Sequence, residues 1–126
     1  MMYLLDTCVL IWLLSAPTQL SDKARLAITS SKAAYISFAS LWEISIKQSN
    51  GKLNLQKTIQ EIAQTCESAN IRILYPTPEE LDNIQKLPKI HGDPFDRLII
   101  SQARTRNMTI ITSDNYIPQY EVSVLW

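Results

Sequence analysis

Four acidic residues, Asp6, Glu43, Asp96 and Asp114, stand where a chain of alternating strands and helices gathers its working groups. Asp6 directly follows the apolar run Tyr3-Leu4-Leu5, and Glu43 lies early in the helical segment after Ala34-Tyr35-Ile36. Asp96 falls in the first turn of a helix, and Asp114 follows Thr109-Ile110-Ile111 by two small polar residues, Thr112 and Ser113. Carboxylates converging in a water-poor crevice repel one another and raise each other's pKa. A divalent cation removes that conflict, and hard oxygen ligands with retained water suit Mg²⁺, with Mn²⁺ as the alternative. The chemistry such a group serves best is activation of water for attack on a phosphodiester. His91 is the sole histidine and pairs with no serine or cysteine nucleophile in the sequence pattern; its loop setting predicts a solvated side chain.

Each acid also has a plain structural reading. Asp6 can cap the helix that follows it, and Glu43 closes Ser40-Leu41-Trp42-Glu43, a capping box. Asp96 favours a helix N-terminus electrostatically, and Asp114 suits a Ser-Asp-Asn turn. Independent caps need not all be acidic or share one sheet edge, so the four together favour a site. Asp93 differs: with Pro94 at the first helical position it reads as the N-cap of the helix that carries Asp96.

The elements that position these residues follow from the hydrophobic pattern. Strands are expected at 3–5, 34–36, 71–74 and 109–111, and a last one where Val122, Val124 and Trp126 alternate. Helices are expected from Asp6 to about Leu14, after Ser21, from Phe38 to Gln48, through Leu55, Ile59, Ile62 and Cys66, after Thr77, and from Pro94 on, where Phe95, Leu98, Ile99 and Ala103 share one face. Strands alternating with helices imply an α/β fold, a short parallel sheet flanked by helices on both faces. The functional crevice of such a sheet lies beyond the carboxyl ends of its strands.

Composition bounds the answer. A chain of 126 residues, 46% hydrophobic and 19% charged, buries a core of its own and excludes a disordered segment. One domain over residues 1–126 is expected. Formal charge is zero, which excludes a bulk basic coat protein. The six basic residues between Lys23 and Lys57 nevertheless face only one acid there, Glu43. Lys47 and Lys52 in that stretch are candidates for holding a polyanion backbone. Cys8 and Cys66 have neither disulfide-framework nor zinc-ligand spacing and read as reduced core residues. The run Cys8–Leu14 is too short to span a bilayer and no basic leader precedes it, so a cytoplasmic protein without membrane attachment is expected.

These residues sit in runs that resemble the PIN-domain ribonucleases, specifically VapC-type toxins of bacterial toxin–antitoxin pairs. The runs are Leu4-Leu5-Asp6-Thr7, Ser40-Leu41-Trp42-Glu43-Ile44-Ser45-Ile46-Lys47, His91-Gly92-Asp93-Pro94-Phe95-Asp96-Arg97-Leu98-Ile99-Ile100-Ser101-Gln102-Ala103, Thr112-Ser113-Asp114 and Val124-Leu125-Trp126. The resemblance covers essentially the whole chain. It implies a PIN-like fold and an acidic Mg²⁺ site built on Asp6, Glu43 and Asp96, with Asp114 as the fourth acid and Asp93, Arg97 and Thr112 as auxiliary residues. It further implies cleavage of RNA, a homodimer, and a small antitoxin whose tail covers the active-site groove. Arg97 is expected to pair with a site carboxylate or contact phosphate. A PIN nuclease of RNA processing without an antitoxin fits the same residues. A receiver domain or a haloacid-type phosphatase does not, because Asp6 stands alone after the first strand and residue 8 is Cys.

Overall fold

The computed structural model describes residues 1–126. Five short strands form one parallel sheet in the order β3-β2-β1-β4-β5: β1 (Tyr3–Leu5), β2 (Ala34–Ser37), β3 (Ile71–Leu74), β4 (Thr109–Ile111) and β5 (Val124–Leu125). The strands read as continuous apolar runs because helices cover both faces of the sheet. In β1, Leu5 joins a core with Val9, Leu10, Leu41, Ile44 and Ile62, whereas Leu4 joins the opposite one with Leu98, Ile99 and Ile110. Both leucines are fully buried, and each contributes about 2 kcal/mol by leaving water.

The helices are α1 (Thr7–Ser15), α2 (Asp22–Ser30), α3 (Phe38–Ser49), α4 (Ile59–Ser68), α5 (Pro78–Gln85) and α6 (Pro94–Arg106). Their starts follow the caps read from sequence: Ser21 accepts from Ala24 N–H, and Thr77 with Glu80 forms a reciprocal capping box. Helix α6 ends where Asn107 turns left-handed, at φ 56°, a conformation asparagine tolerates.

Two expected elements differ. The helix drawn through Leu55 begins only at Ile59, because Thr58 and Glu61 form a capping box just before it. The last strand is two residues long, and its flanking residues diverge: Val122 packs against the α6 side of the sheet and Trp126 against the α1 side, near Trp12. No helix is long and apolar enough to cross a membrane.

The sheet order places β1 centrally, with its successor β2 on one side and β4 on the other. Strand order reverses at the carboxyl end of β1, where an open parallel sheet forms a crevice. Asp6 is the first residue beyond that end; its N–H still donates to Ile111 O at 3.0 Å, so the ladder with β4 continues right up to it.

Candidate active site

Asp6, Glu43, Asp93, Asp96 and Asp114 all line one open cleft of about 380 Å³, together with Cys8 and Lys47. The four acidic candidates, Asp93 and Lys47 therefore meet at the carboxyl edge of the sheet, whereas Arg97, Thr112 and Lys52 do not line the cleft. Asp6 is delivered by β1, Asp114 by the loop after β4, Asp96 by the first turn of α6 and Glu43 by the second turn of α3.

Three of these acids serve the fold and the cleft at once. Asp6 caps α1 through Thr7 N–H at 2.8 Å. Its other oxygen accepts the Thr112 hydroxyl at 2.8 Å, and Thr112 in turn accepts Asp114 N–H at 3.0 Å. Thr112 thus ties the first acid to the loop of the fourth. Asp93 caps α6, with one oxygen accepting from both Phe95 N–H and Asp96 N–H. Asp114 accepts Tyr116 and Ile117 N–H groups at the start of the 3₁₀ turn Ile117–Tyr120. The structural readings of Asp6, Asp93 and Asp114 hold alongside their place in the cleft. The capping box at Glu43 does not form. Ser37 caps α3 instead, Ser40 is buried and bonds Thr7 Oγ1 at 2.8 Å, and Glu43 is free to face the cleft.

Charge in the cleft is incompletely balanced. Lys47, one helical turn after Glu43, donates to Glu43 Oε2 at 2.7 Å, and the hydrogen bond raises the Lys47 pKa. Glu43 Oε1 is buried without a hydrogen-bond partner. Burial raises the Asp6 pKa to about 7; the Thr112 hydroxyl and Thr7 N–H oppose the rise, and Asp96 and Asp114 add to it. Burial likewise raises Asp96 to about 6, opposed by a hydrogen bond from His91 and reinforced by Asp93, Asp114 and Glu43. Such carboxyls want a cation that the chain itself does not provide.

A divalent ion fits this donor set. No three of the chain's His, Cys, Asp and Glu side chains close into a ligand cluster. Mg²⁺ does not require one, since it is held by one or two carboxylates and keeps several waters. The orphaned Glu43 Oε1 and the two desolvated aspartates are oxygen donors of the kind it takes.

Three expectations are corrected. Cys8 is exposed at the cleft rim rather than in the core, while Cys66 is buried as expected. Burial and Asp6 raise the Cys8 pKa, so its thiol stays protonated at neutral pH. His91 is not a solvated loop side chain: its Nε2 stands 3.1 Å from Asp96 Oδ2 and its Nδ1 2.5 Å from the Tyr120 hydroxyl. Arg97 makes no carboxylate pair. It donates to the backbone oxygens of Pro88 and Ile84 and to the Tyr120 hydroxyl, fixing the loop before α6. The sequence pattern gave no role to Thr7 or Tyr120, and gave Ser40 only a capping role that belongs to Ser37. Thr7 alone was signalled, by its place directly after Asp6, whereas the contacts of Ser40 and Tyr120 span 33 and 29 residues.

A PIN-domain family model matches residues 3–122. No functionally curated protein sequence gives a significant match. Among solved structures, the chain resembles one from VapBC2 of Rickettsia felis, bound to a DNA fragment from its promoter, with a TM-score of 0.73 and 18% identity over 99% of this chain and 98% of that one. VapBC-1 of nontypeable Haemophilus influenzae gives 0.71 and 21% over 99% and 97%. FitAcB of Neisseria gonorrhoeae gives 0.61 and 20% over 99% and 97%. At these identities the neighbours establish a common fold. With a five-stranded parallel sheet of that fold and a family model matching nearly its full length, the chain belongs to the PIN-domain family, whose members are nucleases that generally use divalent metal ions.

Proposed function

We propose that this protein is a Mg²⁺-dependent endoribonuclease, active with Mn²⁺ as well, that acts in the cytoplasm as the toxin of a toxin–antitoxin pair. The observation that carries the nuclease reading is the convergence of Asp6, Glu43, Asp96 and Asp114 in one cleft, with Glu43 Oε1 buried and unpartnered. The toxin reading is supported by the likeness to VapBC and FitAB chains over nearly their whole length. It carries with it a homodimer and an antitoxin that binds over the cleft.

In this reading Asp6, Glu43, Asp96 and Asp114 would hold the ion through carboxylate oxygens and its retained waters, and when bound it would supply Lewis acidity and charge neutralisation at the scissile phosphate. The chain's own residues do the rest. Thr112 and Thr7 N–H fix the Asp6 carboxylate from two sides. Lys47 donates to Glu43 Oε2 and holds that side chain in place, while Oε1 keeps no partner within the chain. Water attacks the phosphorus in line with the leaving oxygen: the new P–O bond forms as the water gives up a proton to solvent, and the old P–O bond breaks as the leaving oxygen takes a proton from solvent. Lys52, exposed after α3, lies on the basic stretch that approaches the RNA backbone. The cleft is open to solvent, so single-stranded loops with accessible bases are the substrates it suits.

Induced expression of the chain in a bacterial host tests the reading. Growth arrest that Asp6→Asn relieves at equal protein level is the expected outcome. An equally toxic variant removes Asp6 from the site or nucleolysis from the toxicity.

A further inference from the structure

His91 is clamped on three sides. Its Nδ1 faces the hydroxyl of buried Tyr120 at 2.5 Å, its Nε2 faces Asp96 Oδ2 at 3.1 Å, and the Tyr116 ring stacks on it at 5.2 Å with an interplanar angle of 11°. Its side chain is 13% exposed.

The hydrogen bonds around Tyr120 favour one placement of the ring proton. A phenolic oxygen donates one hydrogen and has two lone pairs to accept with. Two N–H groups already point at it: the His91 backbone N–H at 3.0 Å and Arg97 Nη1 at 3.3 Å. Its one hydrogen therefore goes outward, and the nearer acceptor is His91 Nδ1, at 2.5 Å against 3.3 Å for the His91 carbonyl. Nδ1 must then be bare. A neutral imidazole with a bare Nδ1 carries its hydrogen on Nε2, and Nε2 donates to Asp96.

We propose that His91 is a positioning residue of the candidate site, locked as the Nε2–H tautomer by Tyr120 and Arg97, and that its N–H holds Asp96 Oδ2 so that Asp96 Oδ1 is presented to the cleft. This role rests on the metal-dependent reading above. Partners that hydrogen-bond a ligating carboxylate fix its orientation, and their loss typically costs about 10–100-fold in metal affinity or activity. Arg97 gains a function here as well: it completes the donor count on Tyr120 rather than meeting a carboxylate or phosphate.

The test needs no nuclease assay. The chain has one histidine, so a long-range ¹H–¹⁵N correlation spectrum of the full chain in EDTA at neutral pH shows a single imidazole pattern. The expected spectrum has a protonated Nε2 and a bare Nδ1, and Tyr120→Phe moves population toward the Nδ1–H form. A wild-type ring whose Nε2 carries no proton overturns the proposal. Mn²⁺ titration by calorimetry reads the consequence. His91→Ala and His91→Asn are expected to weaken Mn²⁺ binding by about 10–100-fold. His91→Gln, whose amide nitrogen reaches the place of Nε2, is expected to stay within several-fold of wild type. Unchanged Mn²⁺ affinity in folded His91→Ala overturns the positioning role alone. Absence of Mn²⁺ binding by the wild type overturns the metal reading, and this role with it. Should His91→Ala fail to fold, the wild-type tautomer and the Gln–Asn contrast still decide.

Discussion

Replacing Asp6 with Asn is expected to stabilise the metal-free protein at neutral pH. Asp6 is 6% exposed, and burial raises its pKa from 3.8 to about 7. At about 1.4 kcal/mol per unit, ionising it in the folded state costs about 4 kcal/mol. A raised carboxyl pKa favours the folded state while the group is protonated. Its contribution is therefore complete below the ordinary carboxylate range and is lost as pH rises through about 7. Asp96, raised to about 6, acts with the same sign over an overlapping window, and the two are not additive because each contributes to the other's charge environment. Asn at position 6 keeps the volume and removes the charge. It weakens the hydrogen bonds from Thr7 N–H and the Thr112 hydroxyl, at a cost of about 1–2 kcal/mol. The net gain at pH 7.5 is about 2 kcal/mol, or roughly 8 °C in melting temperature for a chain of this length. At pH 4 the gain vanishes and the variant is slightly the less stable. Saturating Mn²⁺ reverses the order at pH 7.5, because the ion stabilises only the chain that binds it. The assay is a set of thermal melts from pH 4 to 8 in EDTA, repeated with Mn²⁺ at pH 7.5. A variant no more stable than wild type at pH 7.5 in EDTA refutes the claim that Asp6 is held ionised against its surroundings.

Further outcomes follow from the same geometry. Asp93→Ala removes the acceptor of two N–H groups at the start of α6 and is expected to lower the melting temperature by the roughly 1 kcal/mol of a lost cap while keeping substantial ribonuclease activity. Asp96→Asn is expected to raise its metal-free melting temperature at pH 7.5, by less than Asp6→Asn because its pKa is raised less, and to lose nearly all cleavage; equal inactivity of folded Asp93→Ala would place Asp93 among the working acids. Lys52→Ala is expected to flatten the salt dependence of RNA binding by ~0.7 log units per decade, the share of one contact on a single strand, and an unchanged slope moves the RNA path off the loop after α3. Glu80→Ala leaves Arg106 without the carboxylate that accepts from Nε at 2.6 Å and from Nη2 at 3.2 Å, in a place where Glu80 is 1% exposed. It is expected to destabilise the chain by about 3 kcal/mol in chemical denaturation without changing Mn²⁺ affinity, since α5 contributes nothing to the cleft.

The parallel sheet was readable because its strands are the apolar runs Tyr3-Leu4-Leu5, Ala34-Tyr35-Ile36, Ile71–Leu74 and Thr109-Ile110-Ile111, three of them followed directly by a polar residue, Asp6, Ser37 or Thr112. β5 was poorly readable because two residues make no periodic pattern, and only its pairing with β4 defines it. The four acids were readable for a physical reason: a residue just past a parallel strand, or in the first turns of the next helix, has few places to go but the sheet's carboxyl edge. Glu43 shows the limit of local pattern. Ser40-Leu41-Trp42-Glu43 has the letters of a capping box, but Ser37, at the end of β2, starts the helix one turn earlier. Cys8 sat in an apolar run, and its direction depended on which face of α1 turns inward: Val9 and Leu10 do, and Cys8 does not. His91 and Arg97 were misread because their partner, the Tyr120 hydroxyl, lies 29 and 23 residues away and comes from a 3₁₀ turn with no sequence signature.

The central claim is that the carboxylates of one cleft hydrolyse RNA only with a divalent cation. Purified protein incubated with a single-stranded RNA containing structured loops, with EDTA and then with added Mg²⁺ or Mn²⁺, tests it most directly, with Asp96→Asn as the control for contaminating nuclease. The account predicts no cleavage in EDTA, cleavage restored by either ion, and none from Asp96→Asn in any condition. Cleavage that persists undiminished in EDTA and is absent from Asp96→Asn would contradict it, because the acids would then be working without the ion their arrangement calls for.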